Sequence, residues 1–101
     1  MTYSIGDIAQ IIGADSASLR QASVEHLLTD SRSLAYPDTT LFFAIQSATN
    51  NGARYIPGLY AAGVRNFVVA KSEPLPQQCD EANFLRVDSP IDALHRLAAW
   101  H

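Results

Sequence analysis

Thr40-Leu41-Phe42-Phe43-Ala44-Ile45 is the stretch of the sequence that decides the fold. Its apolar character is continuous rather than alternating, which is typical of a strand covered on both faces of a sheet. The preceding residues 36–39, Tyr-Pro-Asp-Thr, favour a turn, and the polar residues 46–52 follow directly. We therefore predict a buried strand here with a loop at each end.

The residues that follow complete a strand–helix–strand unit. Residues 55–62 are predicted to form a short helix that stops at Gly63, with Pro57 in the first turn, where a helix tolerates proline. Residues 66–70, Asn-Phe-Val-Val-Ala, form a second buried strand. A strand, a helix and a strand with short connections make a βαβ unit, whose two strands are parallel.

Further helices and strands are predicted on either side of this unit. Residues 24–29 and 84–87 are short and rich in strand-forming residues. A first helix is predicted from Ser4 as N-cap to Gly13 as left-handed C-cap, with its core face formed by Ile5, Ile8, Ala9 and Ile12.

A last helix is predicted to begin with Ser89 as N-cap and Pro90 in its first position. Its expected apolar face consists of Ile91, Leu94, Leu97 and Ala98. Trp100 is expected to pack either on another domain or on the core of this one. The predicted fold class is α/β: a small mixed sheet with a βαβ unit and flanking helices.

Composition limits the class of protein. The 101 residues suit one domain, and 48% hydrophobic with 17% charged residues is a globular composition. The seven Lys and Arg residues are scattered and the net charge is −3, whereas nucleic-acid binding needs clustered cations. The N-terminal residues do not resemble a signal peptide, and no apolar run approaches the ~20 residues of a membrane span. We expect a cytoplasmic protein with no nucleic-acid partner and no membrane span.

The sequence shows no complete catalytic site. It has no Gly-x-x-x-x-Gly-Lys-Ser/Thr loop for phosphate, and His26, His95 and His101 lack the spacing of metal ligands. Cys79 is the single cysteine and lies in a polar, loop-like stretch beside two acids, which would raise its pKa and disfavour the nucleophilic thiolate. We expect no catalytic residue and no metal site in this chain.

Two polar segments follow predicted strands and suit a ligand. Thr29-Asp30-Ser31-Arg32 ends one strand, and residues 46–52 end the next. In open α/β sheets, ligands bind just beyond the carboxyl ends of the strands. The hydroxyl and amide side chains of these segments can hydrogen-bond a polar ring or a sugar. Residues 30–32 alone are equally compatible with a plain turn that holds a local ion pair.

Four motifs, taken in order, resemble the N-terminal domain of the Mur ligases, which are ATP-dependent enzymes that extend the peptide of the peptidoglycan precursor. The family patterns are an Asp-Ser-Arg turn, a Pro-Gly-Asp-Leu-Phe-type start of a strand, an Asp-Gly-His-type turn before a helix, and a Gly-Ala-type step into a Val-rich strand. The matching segments are Thr29-Asp30-Ser31-Arg32, Pro37-Asp38-Thr39-Thr40-Leu41-Phe42-Phe43-Ala44-Ile45, Asn51-Gly52-Ala53-Arg54-Tyr55-Ile56 and Ala62-Gly63-Val64-Arg65-Asn66-Phe67-Val68-Val69.

The resemblance implies that residues 1–101 form a single domain that binds the UDP end of a UDP-N-acetylmuramoyl-peptide. The substrate-binding residues it implies are Thr29, Ser31, Arg32, Ala48, Thr49 and Asn50. Position 31 contacts the uracil with position 29 beside it, and positions 48–50 approach the uracil and ribose. Position 32 braces the turn, with a direct ligand contact as the alternative.

The resemblance also implies a division of labour in a larger protein. ATP, magnesium and the acyl-phosphate chemistry belong in the family to a central domain, into which the last helix is expected to lead. The 101-residue domain alone is then not catalytic. The sequence most resembles the members that add D-alanyl-D-alanine, in particular those fused to an alanine racemase. Members that add the third peptide residue share the motifs, and a free-standing binding module is a further alternative.

Three positions depart from the family pattern. Asn51-Gly52-Ala53 replaces Asp-Gly-His, Ser47 stands at the loop glycine, and Asp38-Thr39 replaces Gly-Asp. A glycine replaced by serine loses conformational freedom, so these changes bear on the geometry of the loop.

Overall fold

The computed structural model describes residues 2–15, 19–47, 49, 51–76 and 79–100. The regular elements are, in order, β1 (Tyr3–Ser4), α1 (Ile5–Ile12), β2 (Ser23–Val24), β3 (His26–Leu28), β4 (Thr40–Phe43), α2 (Ile56–Ala61), β5 (Asn66–Ala70), β6 (Asn83–Val87) and α3 (Pro90–Trp100). Short 3-10 helices occupy Ser31–Ser33, Pro37–Thr39 and Gly52–Tyr55.

The strands form two sheets. β3, β4, β5 and β6 lie side by side in that order and are all parallel. β1 and β2 form a separate antiparallel pair. The α/β class and the βαβ unit, β4–α2–β5, are confirmed. The strands of the large sheet pair in parallel, and those of the small sheet pair antiparallel. Because the four parallel strands point the same way, the residues that follow them meet at one edge of the sheet, which we call the carboxyl edge.

The large sheet is buried on both faces. Along β4, Leu41 and Phe43 pack into the cluster that includes α1 and α3, whereas Phe42 and Ala44 pack into the cluster that includes α2. Successive side chains of a strand point to opposite faces, so a strand with core on both sides has mostly apolar residues in both sets. This arrangement explains the continuous apolar run that decided the fold.

Helix α1 forms as its capping residues predict. The Ser4 hydroxyl accepts a hydrogen bond from the Asp7 N–H at 3.2 Å, and Gly13 ends the helix with a φ of 78°. The four apolar residues predicted to face the core, Ile5, Ile8, Ala9 and Ile12, are all buried. An N-cap of this kind contributes about 1 kcal/mol to stability.

The predicted apolar face of α3 is wrong in part. The buried residues are Pro90, Ala93 and Leu97, whereas Ile91 is 37% exposed and Ala98 is also exposed. The buried face is displaced by about a fifth of a turn from the expected one, because small Ala93 faces the neighbouring elements. Trp100 is 67% exposed, so it does not pack on the core of this domain.

The strand predicted at residues 24–29 is divided in two. Val24 pairs with Tyr3 in the small sheet, and β3 pairs with β4 in the large one. Between them, the Glu25 N–H donates to the Thr39 carbonyl at 2.9 Å. In the described part of the chain, no helix is long and apolar enough to cross a membrane.

Candidate functional site

The turn after β3 is braced by its own side chains. Asp30 caps the 3-10 helix Ser31–Ser33, and its carboxylate accepts from the Arg32 backbone N–H at 3.0 Å. The Arg32 guanidinium donates to the same carboxylate through Nε and Nη2, each at 3.1 Å. Hydrogen bonding from the Arg32 side chain, and then from its backbone, holds the pKa of Asp30 below its usual value. The local ion pair is therefore present, and the Arg32 side chain in it is largely exposed.

The predicted uracil contacts lie on this turn. Ser31 is the first residue of the 3-10 helix and is half-buried, and Thr29 precedes the capping aspartate and is exposed. Because Asp30 and Arg32 bind each other, the backbone around Ser31 has a defined shape. A serine hydroxyl both donates and accepts a hydrogen bond, as a uracil ring does.

The loop after β4 is closed at its base. Gln46 and Asn51 form an isolated antiparallel bridge, which we call the loop stem. The Gly52 N–H donates to the Ile45 carbonyl at 2.9 Å, and Asn51 Oδ1 accepts from the Ala53 N–H at 3.0 Å. Thr49 lies exposed in the loop.

The structure places some of the predicted residues together and leaves others undetermined. Thr29, Ser31 and Arg32 share one turn, and Thr49 belongs to the loop on the neighbouring strand. The predicted residues Ala48 and Asn50 lie outside the described residues.

The turn and the loop leave adjacent strands at the carboxyl edge. Leu28 of β3 is in register with Phe42 of β4, so the two segments start side by side. Tyr55 ends the 3-10 helix Gly52–Tyr55, which directly follows the loop stem. The Arg54 guanidinium lies over the Tyr55 ring, 5.3 Å from its centre. Polar side chains and charges of both signs, among them Asp30 and Arg32, therefore lie at this end of the sheet.

Glu73 is a residue of this edge that the sequence did not indicate. It follows β5, and its carboxylate accepts from Gln46 Nε2 at 3.2 Å and from Asn51 Nδ2 at 3.3 and 3.4 Å. The only available signal was its position after a strand of the same sheet. The Asp-Gly-His pattern of the family would place a second carboxylate at position 51, which cannot donate to Glu73.

Cys79 lies outside the helices and strands, as predicted, but its side chain belongs to the core. It is buried and packs in the cluster that includes α2. Burial raises the pKa of its thiol most, and Asp80 adds a smaller effect in the same direction. The predicted direction of the pKa shift is right, but burial rather than a neighbouring acid is its main cause.

The residues of this chain do not fit ATP with magnesium. The sequence holds no phosphate-binding glycine loop followed by lysine. Among the residues that the structure describes, no group of three or more His, Cys, Asp or Glu side chains converges on a point. The chemistry that the described site supports is hydrogen bonding to a polar ligand.

Fold and candidate site together define an α/β domain with polar loops at the carboxyl edge of a parallel sheet, where ligands of such folds bind. The fold is similar to part of MurF from Acinetobacter baumannii: one crystal structure matches with a TM-score of 0.82 and 19% identity, over 99% of this chain and 21% of that chain. A structure of UDP-N-acetylmuramoylalanyl-D-glutamyl-2,6-diaminopimelate–D-alanyl-D-alanyl ligase from the same organism gives the same values.

This likeness concerns the fold. The chain spans 21% of the length of either solved structure, and the fold expected from the resemblance is confirmed. No family model matches the sequence, and no curated protein matches it.

Proposed function

We propose that this chain is the N-terminal domain of a cytoplasmic Mur ligase and binds the UDP end of a UDP-N-acetylmuramoyl-peptide. One observation carries the proposal: the two motifs that the resemblance assigns to the nucleotide leave adjacent parallel strands at the same edge. They do so in a fold that MurF shares over 99% of the chain. The edge of the sheet where they meet is where ligands of α/β folds bind.

The resemblance supplies the role of each residue, and the hydrogen bonds of the turn support those proposed for Ser31 and Arg32. Ser31 hydrogen-bonds the uracil from the turn that Asp30 and Arg32 hold rigid, and Thr29 lies beside it. Residues 48–50 approach the uracil and the ribose. Arg32 braces the turn through its two hydrogen bonds with Asp30, and a direct contact with the ligand is the second candidate role for it.

In this proposal the domain binds and a central domain of the same protein performs the chemistry. That central domain binds ATP and magnesium, and α3 leads towards it. The 101-residue domain holds substrate and is not catalytic by itself. The group added in this proposal is D-alanyl-D-alanine, because the sequence most resembles the members of the family that add this dipeptide, and a D-alanyl-D-alanyl ligase is among the solved structures of similar fold.

Two alternatives remain in the same fold. A ligase that adds the third peptide residue carries the same four motifs, and assaying both additions with the full-length protein separates the two. A free-standing binding module keeps the fold without the ligase. A phosphate-binding glycine loop encoded in the gene after position 101 favours the ligase over the module.

Ser31→Ala tests the nucleotide-binding role. We expect it to weaken the binding of UDP-N-acetylmuramoyl-tripeptide by about two- to tenfold, which is the loss of one hydrogen bond. Titration of the 101-residue chain, followed by its amide NMR signals, measures the affinity and should shift the signals of residues 29–32 and 49. In the full-length ligase the same change should raise KM for the UDP substrate and leave KM for ATP unchanged.

Ser33→Ala is the matched control, because Ser33 lies in the same 3-10 helix and is exposed. It should bind like the unsubstituted chain. Equal affinities for all three proteins, or shifts confined to residues far from the carboxyl edge, would contradict the proposal.

A further inference from the structure

We propose that Glu73 is the positioning residue that holds the loop stem, Gln46 and Asn51, in the shape that binds the nucleotide. This inference rests on the proposed function and adds to it a residue in the loop after β5, the third strand of the large sheet. Glu73 lies outside every motif of the resemblance. Glu73 does not touch the ligand in this proposal. It acts through the two side chains that close the loop.

The Glu73 carboxylate binds both sides of the stem at once. Gln46 Nε2 donates to it at 3.2 Å, and Asn51 Nδ2 donates to it at 3.3 and 3.4 Å. Gln46 and Asn51 are the two residues of the isolated bridge, so one carboxylate sets the distance between the two sides of the loop. Hydrogen bonds to a charged acceptor are stronger than those between neutral groups.

The Asn51 side chain is fully committed by these contacts. Its Oδ1 accepts from the Ala53 N–H at 3.0 Å while its Nδ2 donates to Glu73. An amide can do both, whereas an ionised carboxylate has no hydrogen to donate. Asparagine at this position, where the family pattern has aspartate, therefore matches the glutamate opposite.

Glu73 is itself tied to the next strand. Its backbone N–H donates to the Ala70 carbonyl at 3.0 Å, at the end of β5. The Arg86 guanidinium on β6 donates to the carbonyl of Lys71 and to that of Glu73, the latter at 3.5 Å. The loop stem is thus connected through Glu73 to β5 and β6, which fixes it relative to the rest of the sheet.

Exchanging the amide and the carboxylate between positions 51 and 73 tests the pairing of Asn51 with Glu73. Asn51→Asp retains the oxygen that caps Ala53 and sets a carboxylate against Glu73, so we expect substrate binding about tenfold weaker, as for neighbouring residues that couple. Adding Glu73→Gln to Asn51→Asp restores a donor opposite an acceptor, and affinity should return to within about twofold of the unsubstituted chain. Asn51→Asp should keep the Tm of the unsubstituted chain, whereas a purely structural role for the pair would lower Tm together with the affinity.

Asp88→Asn is the matched control. Asp88 is also acidic, lies at the same edge after β6, and pairs with Lys71 at 3.3 Å instead of with the loop stem. Its substitution should leave the affinity unchanged. Calorimetric titration with UDP-N-acetylmuramoyl-tripeptide gives Kd for each variant, and thermal unfolding gives the stability of each.

The outcomes separate the inference from the proposed function. If the unsubstituted chain binds and Asn51→Asp binds equally well, Glu73 does not position the loop, although the proposed function stands. If Asn51→Asp weakens binding and Glu73→Gln fails to restore it, the pairing is also refuted. If the unsubstituted chain does not bind the substrate at all, the proposed function fails, and the inference fails with it.

Discussion

Gly52 lies so close to the backbone that directly follows β4 that any side chain should disturb the carboxyl edge. A Cβ at this position would lie 2.9 Å from the Ile45 nitrogen, 3.0 Å from the Ile45 oxygen and 3.1 Å from the Ala44 carbonyl carbon. Carbon atoms in ordinary contact lie about 3.5–4.0 Å apart, so Gly52→Ala requires a backbone shift of about half an ångström. A backbone cannot rotate out of the way as a side chain can.

The cost of Gly52→Ala follows from this overlap. Overpacking of this kind costs about 1–3 kcal/mol. The shift also strains the hydrogen bond from the Gly52 N–H to the Ile45 carbonyl, which adds about 1 kcal/mol. A total of about 2–4 kcal/mol corresponds to a decrease in Tm of about 8–16 °C for a domain of this size.

Thermal unfolding of Gly52→Ala and Gly58→Ala, monitored by circular dichroism, checks the reasoning. Gly58 lies in α2 and a Cβ there would meet nothing within 4 Å. Alanine is favoured over glycine in a helix by up to about 1 kcal/mol, so Gly58→Ala should leave Tm unchanged or raise it slightly. If both variants unfold within 2–3 °C of each other, on the scale of about 4 °C per kcal/mol, the close approach at Gly52 has no energetic consequence.

Two further predictions concern titrating groups. The Cys79 thiol should react slowly with a disulfide reagent at pH 8 in the folded chain and at least ~10-fold faster after unfolding. The reason is that burial raises the pKa of this thiol and blocks access to it. Rapid reaction in the folded chain would contradict this. The Asp30 carboxyl should titrate below 3.8 by NMR and return towards that value in Arg32→Ala. A lowered pKa in the folded state means that the stabilisation is present above the unfolded pKa and is lost as pH falls through the folded one. An unchanged Asp30 midpoint in Arg32→Ala would show that Arg32 is not its cause.

Local signals predicted most of the fold. The caps of α1, Ser4 and Gly13, act within a few residues of each other, and the continuous apolar runs of β4 and β5 reflect core on both faces. The face of α3 depends instead on which neighbour it packs against, and helical spacing alone cannot choose small Ala93 over large Ile91. The division of the strand at Glu25 likewise depends on a hydrogen bond to Thr39, which is distant in the sequence.

The sequence predicted those parts of the candidate site that belong to short local motifs. The turn at residues 29–32 was visible because Asp30 and Arg32 are neighbours that bind each other. The contacts of Glu73 with the loop stem could not be predicted, because Glu73 is 22 residues from Asn51 and 27 from Gln46. No local sequence pattern relates residues so far apart. The loop position of Cys79 was predicted correctly, but the burial of its side chain was not, because its neighbours in the sequence are polar.

The order of the strands has a consequence for synthesis on the ribosome. Each of β4, β5 and β6 pairs with the strand made just before it, so the large sheet can grow in step with translation. α3, which lies against β4 and β5, is made after all of them. Until it emerges, part of one face of the nascent sheet, with Leu41 and Val68, is open to water. The nascent chain should therefore present a transient chaperone-binding surface that closes only when α3 docks.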